Sequence, residues 1–291
     1  MWVFVLYKIG QFLSCYLPER LSFFIARFLA DFFFLFPTGR YRSYREAVLH
    51  NLNLVLNFNN RSKRKYGREV FRNFANYLRE FLLLERLDRS RFFKKVTPVG
   101  IENLDAALRE KKGVLLLSCH FGNWEWGGIA LALCGYDVCF VVRPHKNPYT
   151  NKLFRKLREK GKVKVVSIAH LKRVLKFLQQ NKVVATLIDE QERGIDVILF
   201  GKKISLASGP FKIAYKAGAL ICPAFMIRDR KTGKQKGIVE SPIRVRDDVE
   251  MDKALEEAAQ SFAYVMEDYL KFYPDHWFLF KKKKFVETNT K

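Results

Sequence analysis

Negative charge is scarce in this chain. Against 53 Lys and Arg stand 29 Asp and Glu, which leaves a net charge of +24 over 291 residues. So large an excess implies a polyanionic partner: nucleic acid, an anionic membrane face or an acidic protein. Cysteine is also sparse. Cys15, Cys119, Cys134, Cys139 and Cys222 form no C-x-x-C pair and no even framework, which suits a reducing compartment where thiols act as small apolar side chains. No uninterrupted apolar run reaches the roughly 20 residues of a bilayer-spanning helix. No small-residue cleavage site follows the first apolar run, so it does not read as a cleaved signal. H-E-x-x-H is absent, and His50, His145, His170 and His276 lack ligand spacing, so no metal is expected. With no internal repeat and no long linker, one large core with a terminal appendage remains.

Aromatics are what the chain has in excess. Its 27 Phe crowd toward the first 93 residues. Residues 2–17 and 21–36 are apolar runs parted by Pro18-Glu19-Arg20, and Lys8, Arg27 and Asp31 interrupt them. On a helix, Arg20, Arg27, Asp31 and Thr38 fall on one side, leaving a wide apolar face suited to lying in one leaflet. Basic clusters follow at residues 40–45 and 61–65, where anionic lipids would be met. The expected organisation is a membrane-associating helical hairpin over residues 1–38 and a catalytic domain over residues 39–291. The competing reading, two core helices of a soluble domain, stays open.

Beyond residue 100 the periodicity changes. An amphipathic helix over 101–110 leads into a buried strand over 113–118. Apolar runs recur at 137–142, 163–167, 183–188 and 220–227, with helical stretches at 125–134, 149–160, 169–180 and 207–217. Residues 237–246 and a helix at 252–273 complete the pattern. Strands alternating with helices predict an α/β fold with a mostly parallel sheet flanked by helices.

Chemistry in such a sheet gathers where strands end. The 113–118 strand runs into Cys119-His120-Phe121-Gly122-Asn123-Trp124-Glu125. A turn through Gly122-Asn123 would fold the Glu125 carboxylate back onto the His120 imidazole. That pair suits proton abstraction from an alcohol, with Glu125 holding one ring N–H and the other nitrogen acting as base. A structural histidine and a metal ligand are the alternatives. Cys119 faces away from His120, and Ser118 shares its side. Arg143, before Pro144, and Asp189 also close strands. With Asn123 and Gln191 they are candidates for substrate or oxyanion contacts, the alternatives being a rim salt bridge for Arg143 and a helix or turn cap for Asp189. The Lys281–Lys284 run reads as a solvated end.

The motif His120-x4-Glu125 resembles the signature of the late (lauroyl- and myristoyl-type) acyltransferases of bacterial lipid A assembly, in the lysophospholipid acyltransferase superfamily. The resemblance extends over most of the chain. It takes in Asn51-Leu52, Glu80, residues 100–104, Arg143-Pro144, Asn147-Pro148, Asp189 with Gln191, Phe200-Gly201, Ser208-Gly209-Pro210 and the Tyr273-Pro-Asp-His-Trp277 segment. Glu190 departs from it, since many relatives have Asp followed directly by Gln. The resemblance implies transfer of a fatty acyl chain from acyl carrier protein to a hydroxyl of a membrane glycolipid, a lipid A precursor, at the cytoplasmic face of the bacterial inner membrane. No cofactor is implied. Lys152, Arg155 and Lys156 share a helical face that would suit an acidic carrier. Two further readings are an acyl-CoA enzyme acting on a phospholipid or phosphatidylinositol mannoside and, from another class, a nucleic-acid-binding protein. The latter leaves the apolar N-terminus and the His120 loop unexplained.

Overall fold

The computed structural model describes residues 2–55, 59–190 and 193–287. The two apolar runs form helices α1 (Trp2–Tyr16) and α2 (Glu19–Leu35), parted at Pro18, whose missing N–H disfavours a continuous helix. Helices α3 (Arg40–Val55) and α4 (Asn60–Leu83) follow, α4 capped by the Asn59 side chain accepting the Ser62 N–H. The polar stripe of α2 turns toward α4. Asp31 accepts from both Arg68 and Arg72 at 2.6–2.7 Å, and Arg79 donates to Ser22 Oγ at 2.7 Å. Burial pushes the Asp31 carboxyl up, but the two guanidinium forks outweigh it and hold it well below the ordinary range. Below them Phe34 meets Phe71 edge-on, and Gly67 lets α3 and α2 approach where a Cβ would lie 2.8 Å from Leu49.

With its polar residues turned inward, α2 exposes Leu21, Phe24, Phe28, Phe32 and Leu35, and α1 exposes Trp2, Leu6, Ile9, Phe12 and Tyr16. Among the described residues no single helix is long and apolar enough to cross a membrane. Helices α2 and α3 pass that test only as a pair, bent by 87°.

A short helix α5 (Arg89–Phe93) leads into the α/β part, where the chain runs β1 (Val96–Val99), α6 (Ile101–Leu108), β2 (Val114–Ser118), α7 (Trp124–Cys134), β3 (Val138–Val142), α8 (Pro148–Lys160), β4 (Lys164–Ser167), α9 (Leu171–Gln179) and β5 (Val183–Leu187). It continues through β6 (Ile195–Leu199), β7 (Lys202–Leu206), α10 (Ser208–Ala217), β8 (Leu220–Arg228), β9 (Gln235–Val239), α11 (Met251–Phe272) and β10 (Phe285–Glu287). Seven strands form a sheet in the order β1-β9-β8-β2-β5-β3-β4, parallel except for the β8–β9 pair. The expected parallel sheet flanked by helices is therefore present. A separate antiparallel sheet, β10-β7-β6, was not anticipated. Its hairpin turns at Phe200-Gly201, both in the left-handed region with φ of 51° and 70°, as two-residue hairpin turns require.

Strand β2 is buried on both faces. Leu115, Leu117 and Cys119 join a core with α9, α10 and α11, while Val114 and Leu116 join the core beneath α6, α7 and α8. Pleat alternation thus sends residue 120 to the α7 side.

Candidate active site

Immediately after β2 the chain makes a tight reversal. Gly122 has a φ of +58°, and a Cβ there would sit 2.0 Å from the Met226 carbonyl oxygen, so only glycine fits without displacing β8. Its N–H donates to the His276 carbonyl at 2.8 Å, and the Phe278 N–H donates to the His120 carbonyl at 2.6 Å. Asn123 then caps α7. Its Oδ1 accepts the Trp126 N–H at 3.1 Å and its Nδ2 donates to Glu80 Oε2 at 2.9 Å.

This reversal does not deliver Glu125 to His120, as the sequence reading expected. Residue 124 already begins the helix, so the Trp124 ring packs edge-on against the imidazole, with centroids 5.1 Å apart. Glu125, in the first turn and 1% exposed, points toward α8, where Arg158 grips it from Nε at 2.9 Å and from Nη2 at 2.5 Å. The partner of His120 is Asp189, at the end of β5. His120 Nδ1 lies 2.6 Å from Asp189 Oδ1, and the His120 backbone N–H points at both carboxylate oxygens, at 3.1 and 3.2 Å.

Asp189 is itself fully buried and held from the far side. Trp277 Nε1 donates to its Oδ2 at 2.8 Å, and Lys283 Nζ donates to its backbone carbonyl at 2.8 Å. Burial pushes the carboxyl up, yet the His120 imidazole, the Trp277 indole and the His120 backbone N–H more than reverse it, so Asp189 stays ionised. For His120, burial pulls the imidazole down, while the charge and hydrogen bond of Asp189, with Glu190 adding to them, raise it above its ordinary 6.5. An ionised Asp189 can only accept, so the proton sits on Nδ1 and the lone pair on Nε2. Nε2 lies 3.5 Å from Glu190 Oε1.

His120, Glu190, Arg143 and Glu125 with Arg158 line a cavity of about 410 Å³ whose other lining residues are largely apolar. Leu116, Gly128, Leu131, Phe140, Met226 and Val239 form much of its wall. Gly128 lets the Phe140 ring pack directly on α7: a Cβ there would press to 2.1 Å from that ring. Arg143 lies exposed on the lining, and among the described residues no carboxylate pairs with it.

The other sequence candidates divide. Asn123 is 2% exposed and has both ends of its amide committed to the cap and to Glu80, so it holds the loop in place. Gln191 lies outside the described residues. Ser118 lines the cavity, whereas Cys119 faces the opposite core with its thiol pushed well up by burial. Lys283 corrects the reading of the lysine run as a solvated end: it is 4% exposed, with its ammonium on the Asp189 and Ser205 carbonyls. Trp277 and Arg158 were missed as site residues because no local spacing links positions 277 or 158 to the His120 loop. The residues Asn51 and Glu80 are structural. Asn51 donates to the Leu279 and Lys281 carbonyls, and Glu80 gathers Asn123, Arg228 and Gln235.

A carboxylate–imidazole pair at the end of a parallel strand, with its imidazole on a largely apolar cavity, is a group able to take a proton from a bound hydroxyl. Over residues 1–285 the chain belongs to the bacterial lipid A biosynthesis acyltransferase family. It is 25% identical over 169 residues to a lipid A biosynthesis acyltransferase of Haemophilus influenzae, covering 56% of this chain and 53% of that protein. It is also 25% identical over 158 residues to a phosphatidylinositol mannoside acyltransferase of Mycolicibacterium smegmatis, covering 52% of each. A phosphatidylinositol mannoside acyltransferase of Mycobacterium tuberculosis is 26% identical over 160 residues, 52% of this chain and 51% of its own length. The matched stretch spans about half the length of these curated relatives.

Proposed function

We propose that this protein transfers a fatty acyl chain from acyl carrier protein to a hydroxyl of a membrane glycolipid, a lipid A precursor, at the cytoplasmic face of the bacterial inner membrane. The observation that carries the chemistry is the Asp189–His120 pair, with His120 on the lining of the largely apolar cavity. Asp189 fixes the tautomer, and Nε2 removes the proton as the acceptor hydroxyl attacks the thioester carbonyl. The tetrahedral intermediate expels the thiolate, which takes the proton back from His120. The fatty chain lies in this cavity beside Gly128. Arg143, at the rim, suits a lipid phosphate or the developing oxyanion. Glu125 keeps Arg158 on the cavity wall and has no direct part in proton transfer.

The exposed apolar rows of α1 and α2 support residues 1–38 as the membrane-associating part, with the ion pairs to α4 holding those rows outward. The net charge of +24 suits an acidic carrier and an anionic leaflet alike. The similarity to phosphatidylinositol mannoside acyltransferases favours a second reading, with acyl-CoA as donor and a phosphoinositide glycolipid as acceptor. The decisive experiment compares membrane lipids by mass spectrometry from cells with the gene, without it, and with a His120→Ala copy. One acyl chain missing from a glycolipid in the last two, with its transfer restored in vitro by acyl carrier protein, supports the first reading. Faster transfer from acyl-CoA, with no salt dependence for the carrier, favours the second. Unchanged lipids in all three refute both.

A further inference from the structure

A second cavity, of about 600 Å³, opens on the opposite side of α8 from the active-site cavity, between α1 and the end of α4. Lys8, Arg86, Lys152 and Lys156 line it, against a single carboxylate, Glu85. Glu85 is already engaged by Lys156 at 3.3 Å and through its carbonyl by Lys160. Apart from Gln11, whose Oε1 accepts from Lys8 Nζ at 2.6 Å, the remaining lining is apolar and aromatic. Phe12 stacks on Tyr16 at 4.9 Å, the Arg86 guanidinium lies 3.9 Å over the Tyr16 ring, and Phe4 meets Tyr149 at 5.6 Å. Phe12 and Tyr16 also belong to the exposed apolar row of α1. The groove therefore joins unneutralised cations to a greasy surface along one edge, which is the chemistry of an anionic amphiphile.

We propose that this groove holds the phosphate of an anionic membrane phospholipid, its headgroup between Lys8, Arg86 and Lys152 and its chains along the α1 row. The inference rests on the membrane-surface reading above. A carrier protein fits the groove less well. Of the three cations that the sequence grouped for such a partner, Arg155 is absent from the lining and pairs with Glu159 at 3.6 Å. Occupancy has a consequence for the active site, because α8 is a shared wall. Leu153 and Lys156 face the groove, while Phe154 and Arg158 face the catalytic cavity. A lipid bound here holds α8, and with it the Arg158–Glu125 pair, against the membrane-facing helix.

Cys15, half-buried on the groove wall, reports on it directly. In the full-length protein carrying Cys134→Ser, the three other cysteines, Cys119, Cys139 and Cys222, are buried, and maleimide labelling of Cys15 is timed with vesicles. Vesicles of phosphatidylcholine alone are compared with vesicles that also contain phosphatidylglycerol, and bound protein is measured by sedimentation. Labelling should be several-fold slower with phosphatidylglycerol. The variant Lys8→Gln/Arg86→Gln/Lys152→Gln should lose that protection and bind anionic vesicles on the order of a hundredfold more weakly, at roughly fivefold per cation. It should bind neutral vesicles as before, which also shows that it folds. The control Lys172→Gln/Arg173→Gln/Lys176→Gln, on the exposed side of α9, should keep the protection. Binding to neither kind of vesicle overturns the membrane reading and this site with it. Equal labelling and binding with both kinds overturns the site alone, as does an equal loss in both triple variants. Protection by inorganic phosphate without vesicles, or by acyl carrier protein where vesicles fail, assigns the groove to another ligand and overturns the proposal.

Discussion

Replacing Asp189 by Asn tests the site at its most constrained atom. The carboxylate serves donors on both oxygens: His120 Nδ1–H on Oδ1, Trp277 Nε1–H on Oδ2, and the His120 backbone N–H across the two. An amide offers only one oxygen. With its NH2 toward His120 it donates to Nδ1, moves the ring proton to Nε2 and removes the base. With its NH2 toward Trp277 it sets two buried donors against each other, a loss of about 1–3 kcal/mol. The ring can shift its proton and the indole cannot, so the first orientation prevails and turnover should fall by roughly 10²–10⁴, or about 3–5 kcal/mol in the barrier. The rising limb of the pH–rate profile carries a second signature. His120 acts when neutral, so kcat/KM should rise with pH through a group above the ordinary 6.5. Without the Asp189 charge, burial acts with less opposition and that limb should move to lower pH. Trp277→Phe removes the indole donor, so the amide can turn its NH2 there and keep its oxygen on His120. The double variant Asp189→Asn/Trp277→Phe should therefore be faster than Asp189→Asn alone, which steady-state kinetics across pH would read. Near-wild-type turnover in Asp189→Asn, or a pH limb that does not move, refutes the assignment.

Further expectations concern the surrounding residues. Arg158→Met strands the buried Glu125 charge and should cost about 3–5 kcal/mol of stability, measured by denaturant unfolding, whereas Glu125→Gln/Arg158→Met should recover much of it. In both, the pH limb should stay in place, because Glu125 does not touch His120; movement of that limb in Glu125→Gln would restore the direct pairing. Arg143→Lys should lower transfer while leaving the melting temperature unchanged, since a lysine cannot reproduce two parallel donors. Unaltered kinetics would make Arg143 a bystander. Gly122→Ala meets both a left-handed backbone and the Met226 carbonyl, and loss of soluble expression or a clearly lowered melting temperature is expected. Phe24→Ser/Phe28→Ser/Phe32→Ser should release protein from membranes at high salt, and quantitative sedimentation of that variant would show that α2 is not the membrane-facing helix.

The sheet was legible because its central strands are short apolar runs bounded by glycine and charge, and buried strands have few other ways to read. Each of β2, β3, β4, β5 and β8 lies within a residue or so of the run that announced it. Strand β1 escaped because a four-residue edge strand containing Pro98 carries little pattern. The β6–β7 hairpin did carry one, with alternate burial along β6 and a turn at Phe200-Gly201, but the helix-and-strand rhythm around it masked a period of two. In the site, His120 and Asp189 could be found because both close strands, and strand ends are where a parallel sheet presents chemistry. Their pairing could not. Proximity along the chain favoured Glu125, while the true partner depends on β2 and β5 lying side by side. Trp277 and Lys283 depend on a still longer return of the chain, which no local periodicity encodes.

That long return has a temporal meaning. The donors that position Asp189 come from residues 277 and 283, whereas the helices with exposed apolar rows precede them in the chain by about 240 residues or more and are made earlier. During translation the greasy surface therefore emerges well before the base is oriented. The nascent chain can reach a lipid surface while still lacking a competent imidazole. Reactivity would begin only when the final strap threads past Phe121, where Trp277 forms its β-bridge, and closes behind the carboxylate. Docking of this strap would thus complete the Asp189 hydrogen bonds only after the apolar helices had been made.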